Sequence, residues 1–247
     1  MPHNNPHIQN NLKKVNVVIL CGGKGERLRS VISDRPKVLA PMGDNKAFLD
    51  IIIENLLSKG FKRIILSVGY LKDQIINRYK NYKNAEILFV EEETPLGTGG
   101  AVKNARDLIL SDHFLVMNGD SFCDINFLKF YDEHLNQGSL LSMALTKMED
   151  VFDYGSVDLN EEKRIINFSE KKQFKKEKGL VSAGIYCMSK DIFNYMPEDE
   201  KFSLEYDLFP KISAMPFYGF LETGKFIDIG TPDRYKKAIQ SLKNCEI

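Results

Sequence analysis

A chain of 247 residues with 43% hydrophobic and 28% charged content has the make-up of an ordinary globular protein, long enough for one large α/β domain or two small ones. Its 34 Lys plus Arg against 34 Asp plus Glu give zero net charge, which argues against a nucleic-acid coat or a membrane-surface binder, so any anion must be held by a local cluster. Four dispersed cysteines (Cys21, Cys123, Cys187, Cys245) without a CxxC pair, and no apolar run long enough to span a bilayer, disfavour a disulfide or zinc framework and a membrane helix, and fit a reducing, cytoplasmic setting.

Residues 1–14 are rich in Asn, His and Pro and lack an apolar core segment; they read as a flexible tail rather than a signal peptide. Strands and helices then alternate: strand 15–20, helix 47–59 stopped by Gly60, strand 63–68, helix 71–79, strand 85–90, helix 98–110, strand 113–117, helix 124–136 and strand 139–145. This βαβα rhythm predicts a mostly parallel mixed central sheet with helices on both faces. Beyond residue 150 the pattern loosens. A hairpin is expected from 155–159 and 164–168 around Asn160-Glu161-Glu162, with further strands at 180–187 and 217–221. Thr231-Pro232 announces a closing helix within 231–243. With no Pro/Gly/Ser linker and no repeat, 15–247 reads as one domain, with a first half at about 15–150 and a second at about 151–230.

In open α/β sheets ligands sit beyond the carboxyl ends of the strands. The first strand empties into Gly22-Gly23-Lys24-Gly25-Glu26-Arg27, followed by Lys37. Glycines let backbone N–H groups approach an anion, and Arg27 and Lys37 bring positive charge to the same place. The loop lacks the third glycine of a dinucleotide fingerprint, with Arg27-Leu28 in its place, and the Gly-Lys-Ser/Thr of a Walker A loop. Two more strand ends, at 91–100 and at Asn118-Gly119-Asp120, could converge with it. Asp120 and Asp228 suit a hard cation such as Mg²⁺, although each alone would equally serve as a turn former or helix cap. Glu91-Glu92-Glu93 borders Pro95-Leu96-Gly97-Thr98-Gly99-Gly100, so one of these carboxylates is expected to face the ligand. Lys171, Lys172, Lys175, Lys176 and Lys178 form a basic run typical of a solvated loop, from which Glu170-Lys171 stands out. The four histidines have no ligand-like spacing, and no Ser/His/Asp or Cys/His set is visible.

Together, Leu20-Cys21-Gly22-Gly23-Lys24-Gly25-Glu26-Arg27-Leu28 and Pro36-Lys37 resemble the signature of sugar-1-phosphate nucleotidyltransferases, Leu-x-x-Gly-x-Gly-x-Arg-Leu followed by Pro-Lys. The similarity runs from about Val15 to about Leu242. Pro95 to Ala101 resembles the base-binding loop of the guanylyltransferase branch, and residues 27–37 resemble its heptose 1-phosphate enzymes. The resemblance implies a Rossmann-like nucleotide-diphospho-sugar transferase fold. It also implies a reaction of GTP with a heptose 1-phosphate to give GDP-heptose and pyrophosphate, for a bacterial surface polysaccharide such as capsule or lipopolysaccharide. Mannose 1-phosphate guanylyl transfer, and uridylyl, cytidylyl or thymidylyl transfer, are the alternatives, with a non-catalytic nucleotide-sugar sensor behind them.

By the same resemblance, Leu20, Gly22, Gly23, Gly25, Arg27 and Lys37 hold the nucleotide, joined by Glu92, Pro95, Gly97, Thr98, Asn118 and Gly119. Gly155, Glu170, Lys171, Ser182, Ala183 and Gly184 take the sugar phosphate. Asp120 and Asp228 bind Mg²⁺, and Arg27, Lys37, Asp120 and Lys171 carry catalysis. A homodimer is left open as a partner. Two residues depart from the family pattern: Cys21 or Gly22 stands where Ala is common, and Ser182 where Asn is. The long C-terminal β-helix of many relatives is not expected here. Chemistry supports guanine, because its N1–H and N2 amine can both donate to one carboxylate, with Glu92 as first choice and Glu93 in reserve.

Overall fold

The computed structural model describes residues 12–43, 45–149, 151, 154, 156–169 and 178–243. A parallel core is built from β1 (Asn16–Leu20), β2 (Arg63–Val68), β3 (Glu86–Glu91) and β4 (His113–Asn118). β1 lies between β4 and β2, and β3 flanks β2. β1, β2 and β4 are buried on both sides, so alternate residues feed two separate apolar layers, while the edge strand β3 is only half-buried. Val17 and Ile19 face one layer and Val18 the other; Ile64, Leu66 and Val68 face the first and Ile65 the second. The crossovers carry α1 (Phe48–Ser58), α2 (Lys72–Tyr79) and α3 (Gly97–Asn104).

Two further strands continue the sheet antiparallel to or beyond β4. These are β6 (Leu141–Met148) and β9 (Gly179–Ser189), with β10 (Phe217–Phe220) parallel to β6 at the edge. β9 comes from the second half of the chain yet lies between β4 and β6, so both halves share one sheet. β7 (Ser156–Leu159) and β8 (Ile165–Ser169) form the expected hairpin, with β7 also pairing β9.

Four expectations change. Sequence placed the helix before β6 at 124–136, but 121–125 is a strand. β5 (Ser121–Ile125) pairs antiparallel with β11 (Thr223–Asp228), which the sequence did not show as a strand. The helix that follows, α4 (Phe127–Asn136), starts only where the Asn126 side chain accepts a hydrogen bond from the Lys129 amide at 3.1 Å. The helix expected at 98–110 ends at Asn104 and is followed by a 3₁₀ turn at Arg106–Leu108. The closing helix α5 runs Pro232–Lys243, in agreement with the Thr231-Pro232 signal. Leu12, assigned to the tail, is 1% exposed and packs into the first apolar layer. No helix among the described residues is long and apolar enough to cross a membrane.

Candidate active site

The loop after β1 is shaped from both sides. Gly25 has φ +62°, the left-handed region that favours glycine, and Leu28 and Val38 anchor the two short turns at Glu26–Leu28 and Lys37–Leu39 in the core. The Cys21 amide bonds the Ser67 carbonyl at 2.8 Å, tying the loop to β2. A cavity of about 460 Å³ opens above the carboxyl ends of β1 and β4, where an α/β sheet places its ligands. Its lining includes Leu20, Gly22, Gly23 and Gly25 from the first loop, with Lys37. Glu92, Pro95, Gly97 and Thr98 come from the second loop, and Asn118 and Asp120 from the third. The three strand ends that sequence reasoning singled out therefore do meet.

Some expected residues take other places. Arg27 does not line the cavity. Its guanidinium lies beside the 228–230 turn, where a Cβ on Gly230 would stand 3.5 Å from Nη2, and its charge acts on Asp120. Gly119 is fixed by packing: a Cβ there would come within 2.7 Å of the Leu20 carbonyl and 2.8 Å of Val38 Cγ1. Ser182 pairs with Leu145 of β6, and β9 bulges just after it, at Ala183 and Gly184. Gly184, at φ +72°, lies against the Asn118 amide and the Ser121 hydroxyl, while the Ser182 hydroxyl donates to Tyr186 Oη at 3.1 Å and accepts from the Gly184 amide. Gly155, Glu170 and Lys171 lie outside the described residues.

The two aspartates, 108 positions apart, are brought together by the β5–β11 pair. Asp228 sits opposite Ser121, and the Ile229 amide donates to the Asp120 carbonyl at 3.1 Å. Lys37 Nζ pairs directly with Asp120 Oδ2. Asp228 Oδ1 accepts from the Gly230 amide at 2.9 Å and from Arg234 Nη1 at 3.1 Å, and the Arg234 guanidinium stacks on the Tyr154 ring at 4.4 Å. Burial works to raise the Asp120 carboxyl, but the charge and hydrogen bond of Lys37, with Arg27 behind, hold it below the usual carboxylate range. Burial and then the nearby charge of Asp120 push Asp228 up. This pair of close, mutually repelling carboxylates is a hard-oxygen donor set that a divalent cation would fit. Among the described residues no cluster of three His, Cys, Asp or Glu side chains could hold a metal, so phosphate oxygens would complete the shell. Asp228 also lines a second cavity of about 320 Å³ with Tyr154, Phe226 and Lys237, so each member of the carboxylate pair faces a different cavity.

Glu92 is held on both oxygens: Oε1 accepts from the Ser67 hydroxyl at 3.0 Å and Oε2 from the Leu96 amide at 3.2 Å. It abuts Gly22, where a Cβ would collide with the carboxylate. Glu93 instead points away to Lys72 at 3.1 Å. Cys21, Lys24 and Ala101, quoted in the motifs but given no site role, line the cavity, as does Val38, which sequence reasoning missed together with Ser67 and Arg234, which set the two carboxylates. Ser67 and Arg234 carry no local signal. Burial and the charge of Asp120 push the Cys21 thiol well up, so it remains a neutral wall rather than a nucleophile.

This architecture, a three-loop cavity above the carboxyl ends of the central strands beside paired carboxylates, fits a nucleotide-processing transferase. The chain belongs to the nucleotidyl transferase family, which it matches over residues 16–244. It is 38% identical to a D-glycero-alpha-D-manno-heptose 1-phosphate guanylyltransferase of Aneurinibacillus thermoaerophilus over 92% of this chain and 98% of that one. Identity to the protein of the same name from Campylobacter jejuni is 41%, over 88% of this chain and 96% of that one. The crystal structure of HddC from Yersinia pseudotuberculosis complexed with GMP-PN superposes with a TM-score of 0.81 at 38% identity, over 92% of this chain and 99% of that one.

Proposed function

We propose that the chain transfers a guanylyl group from GTP to a heptose 1-phosphate, releasing pyrophosphate and forming a GDP-heptose. The observation that carries this reading is the carboxylate pair with one member on each of two cavities, one built from the glycine loop and the Glu92 loop, the other walled by Tyr154, Phe226 and Arg234. A two-substrate transfer between phosphates needs that layout. The names of the two heptose 1-phosphate relatives and the guanine-nucleotide complex of the Yersinia protein support the choice of substrates.

The mechanism follows from charge. A sugar phosphate oxygen is already anionic near neutral pH, so attack on the α-phosphorus requires no general base; the obstacle is repulsion between two polyanions. Positioning and fixed positive charge supply the remedy. Gly22, Gly23 and Gly25 present backbone N–H groups to the triphosphate. Lys37 lines the nucleotide cavity and can swing its ammonium from Asp120 to the transferring phosphate, while Arg27 adds charge from behind. Mg²⁺ bound by Asp120 and Asp228 would neutralise phosphate oxygens on both substrates. Glu92, tethered by Ser67 and Leu96, presents a pre-oriented carboxylate to the N1–H and N2 amine of guanine. Gly155, Glu170, Lys171, Ser182, Ala183 and Gly184 are assigned to the sugar phosphate by family resemblance, with Gly184 lying against the Asn118 side chain. We assign the chain as one catalytic domain acting in surface polysaccharide synthesis.

The test is pyrophosphate release with GTP, ATP, CTP, UTP and dTTP, each against heptose 1-phosphate and mannose 1-phosphate in Mg²⁺ buffer. Release is expected with GTP and heptose 1-phosphate. Equal release with the pyrimidine nucleotides would remove the guanine assignment, and a preference for mannose 1-phosphate would remove the heptose.

A further inference from the structure

Gly97-Thr98-Gly99-Gly100 is glycine-rich for a reason outside the nucleotide cavity. A Cβ on Gly97 would stand 2.5 Å from the Phe202 carbonyl oxygen; on Gly99 it would strike the Phe202 ring, and on Gly100 the Glu200 carbonyl. The segment 197–205 of the second half is seated there. The Phe202 amide donates to the Leu96 carbonyl at 3.0 Å, and the Phe202 carbonyl accepts from the Gly99 and Gly100 amides at 3.0 and 3.1 Å. Those two amides are in the first turn of α3, where a bound anion would otherwise find free donors. Lys103 Nζ reaches across to the Pro197 and Glu198 carbonyls at 2.7 and 2.9 Å.

The side chains complete the contact. Thr98 Oγ1 donates its one proton to Glu205 Oε2 at 2.6 Å and accepts from the Leu204 amide at 2.9 Å. The same Glu205 oxygen accepts from the Ser203 hydroxyl at 2.7 Å. Glu205 belongs to a π-helical turn, Leu204–Leu208, closed by the Phe209 amide on the Leu204 carbonyl at 2.8 Å. Such turns are rare and concentrate at functional sites.

We propose that Thr98 and Glu205 form a latch through which the second half of the chain holds the base-reading loop in its binding shape. Both are positioning residues, and the Thr98 hydroxyl serves the latch rather than the nucleotide. The inference rests on the reading that the loop after β3 receives guanine. A loop already held in its bound shape loses less freedom when the base arrives, so the latch contributes to nucleotide affinity without touching the nucleotide.

The test is calorimetric binding of a non-hydrolysable GTP analogue without sugar phosphate, with melting curves alongside. Thr98→Val and Glu205→Ala should each weaken binding about tenfold, the scale of one hydrogen bond to a charged group. The double variant should be no weaker than the worse single one, because the two residues act as a unit. Thr98→Ser and Glu205→Gln keep the donor and an acceptor and should recover most of the affinity. KM for the sugar phosphate should stay within twofold in all of them. If Thr98→Val weakens binding and Glu205→Ala does not, the hydroxyl touches the nucleotide and the latch is overturned. Unchanged affinity with a lowered melting point makes the contact purely structural and overturns it equally. Should a variant fail to fold, Thr98→Ser and Glu205→Gln with faster amide exchange over 96–100 and weaker binding support the latch, and both unchanged refute it. Failure of the wild type to bind the analogue would overturn the guanine reading separately; the same coupling is then expected with whichever nucleoside triphosphate it does bind.

Discussion

Acid should destabilise this protein through one buried imidazole. His134, on α4, is fully buried. Its Nδ1 lies 2.9 Å from the Ser142 hydroxyl and its Nε2 3.0 Å from His113 Nδ1. Burial first, and then the neighbouring His113, lower it from 6.5 to about 3. Burial also lowers His113, against the opposing charges of Asp112 and Asp191. In the unfolded chain the ring titrates near its ordinary value, so between those two values the unfolded state binds the extra proton. Stability is then complete above about pH 6.5 and falls as the pH drops towards 3. With one pKa unit equal to about 1.36 kcal/mol, moving from pH 7.5 to pH 5 should cost roughly 2 kcal/mol from His134 alone. The assay is urea unfolding of the wild type and of His134→Gln at both pH values. The variant keeps a polar side chain and has nothing to titrate, so its loss on acidification should be smaller by about 2 kcal/mol. Equal losses in the two proteins would refute the reasoning, and would move the acid sensitivity to the carboxylates.

Lys37→Ala should lower kcat about 10²–10³-fold, the scale of a lost transition-state donor, and should also lower the melting point because Asp120 loses its partner. Adding Asp120→Asn should recover the melting point and not the turnover; recovery of turnover would show that Lys37 only shields the aspartate. Glu92→Gln should erase a preference for GTP over ITP, which lacks the N2 amine; an intact preference in kcat/KM would pass the base-reading role to another group. Gly119→Ala should cost about 1–3 kcal/mol by overpacking against Leu20 and Val38, seen as a lower denaturation midpoint with reduced turnover. Gly23→Ala meets nothing within 4 Å, so its stability should match wild type, and weaker GTP binding there would report the approach of the phosphates.

The parallel core could be read from the chain because both sides of β1, β2 and β4 are buried, which makes each a short, predominantly apolar run bounded by turns. β5 and β11 escaped the same reading. Ser121-Phe122-Cys123-Asp124-Ile125 directly precedes a helix, and its pairing partner lies about a hundred residues later, so the β-pattern has no local support. Gly224 and Lys225 are weak strand formers near the start of β11, and the register shifts between Thr223 and Phe226, which breaks the alternation a strand would show. Yet this small sheet is what places Asp228 beside Asp120. The three loops that line the cavity were nameable from their motifs, whereas Ser67 and Arg234, and the pairing that joins Asp228 to Asp120, lie in no window of sequence.

The same division explains the Pro95 to Gly100 loop. Its glycines looked like a place for a ligand to approach the backbone. In the fold, Gly23 is open to such an approach, whereas Gly97, Gly99 and Gly100 are filled by Glu200 to Phe202 from the second half. A glycine motif therefore carries two different demands, backbone exposure to an anion and close packing of a distant segment, and composition alone does not separate them. The distinction has a mechanistic consequence. Glu92 is tethered to the Leu96 amide, and the Leu96 carbonyl is in turn held by the Phe202 amide, from a segment that sequence reasoning assigned to the other half of the molecule. On the proposed reading, selection for the base and the packing of the second half are properties of one loop. A change at Phe202 or Glu205, remote from any motif, should alter nucleotide affinity before it alters the sugar site.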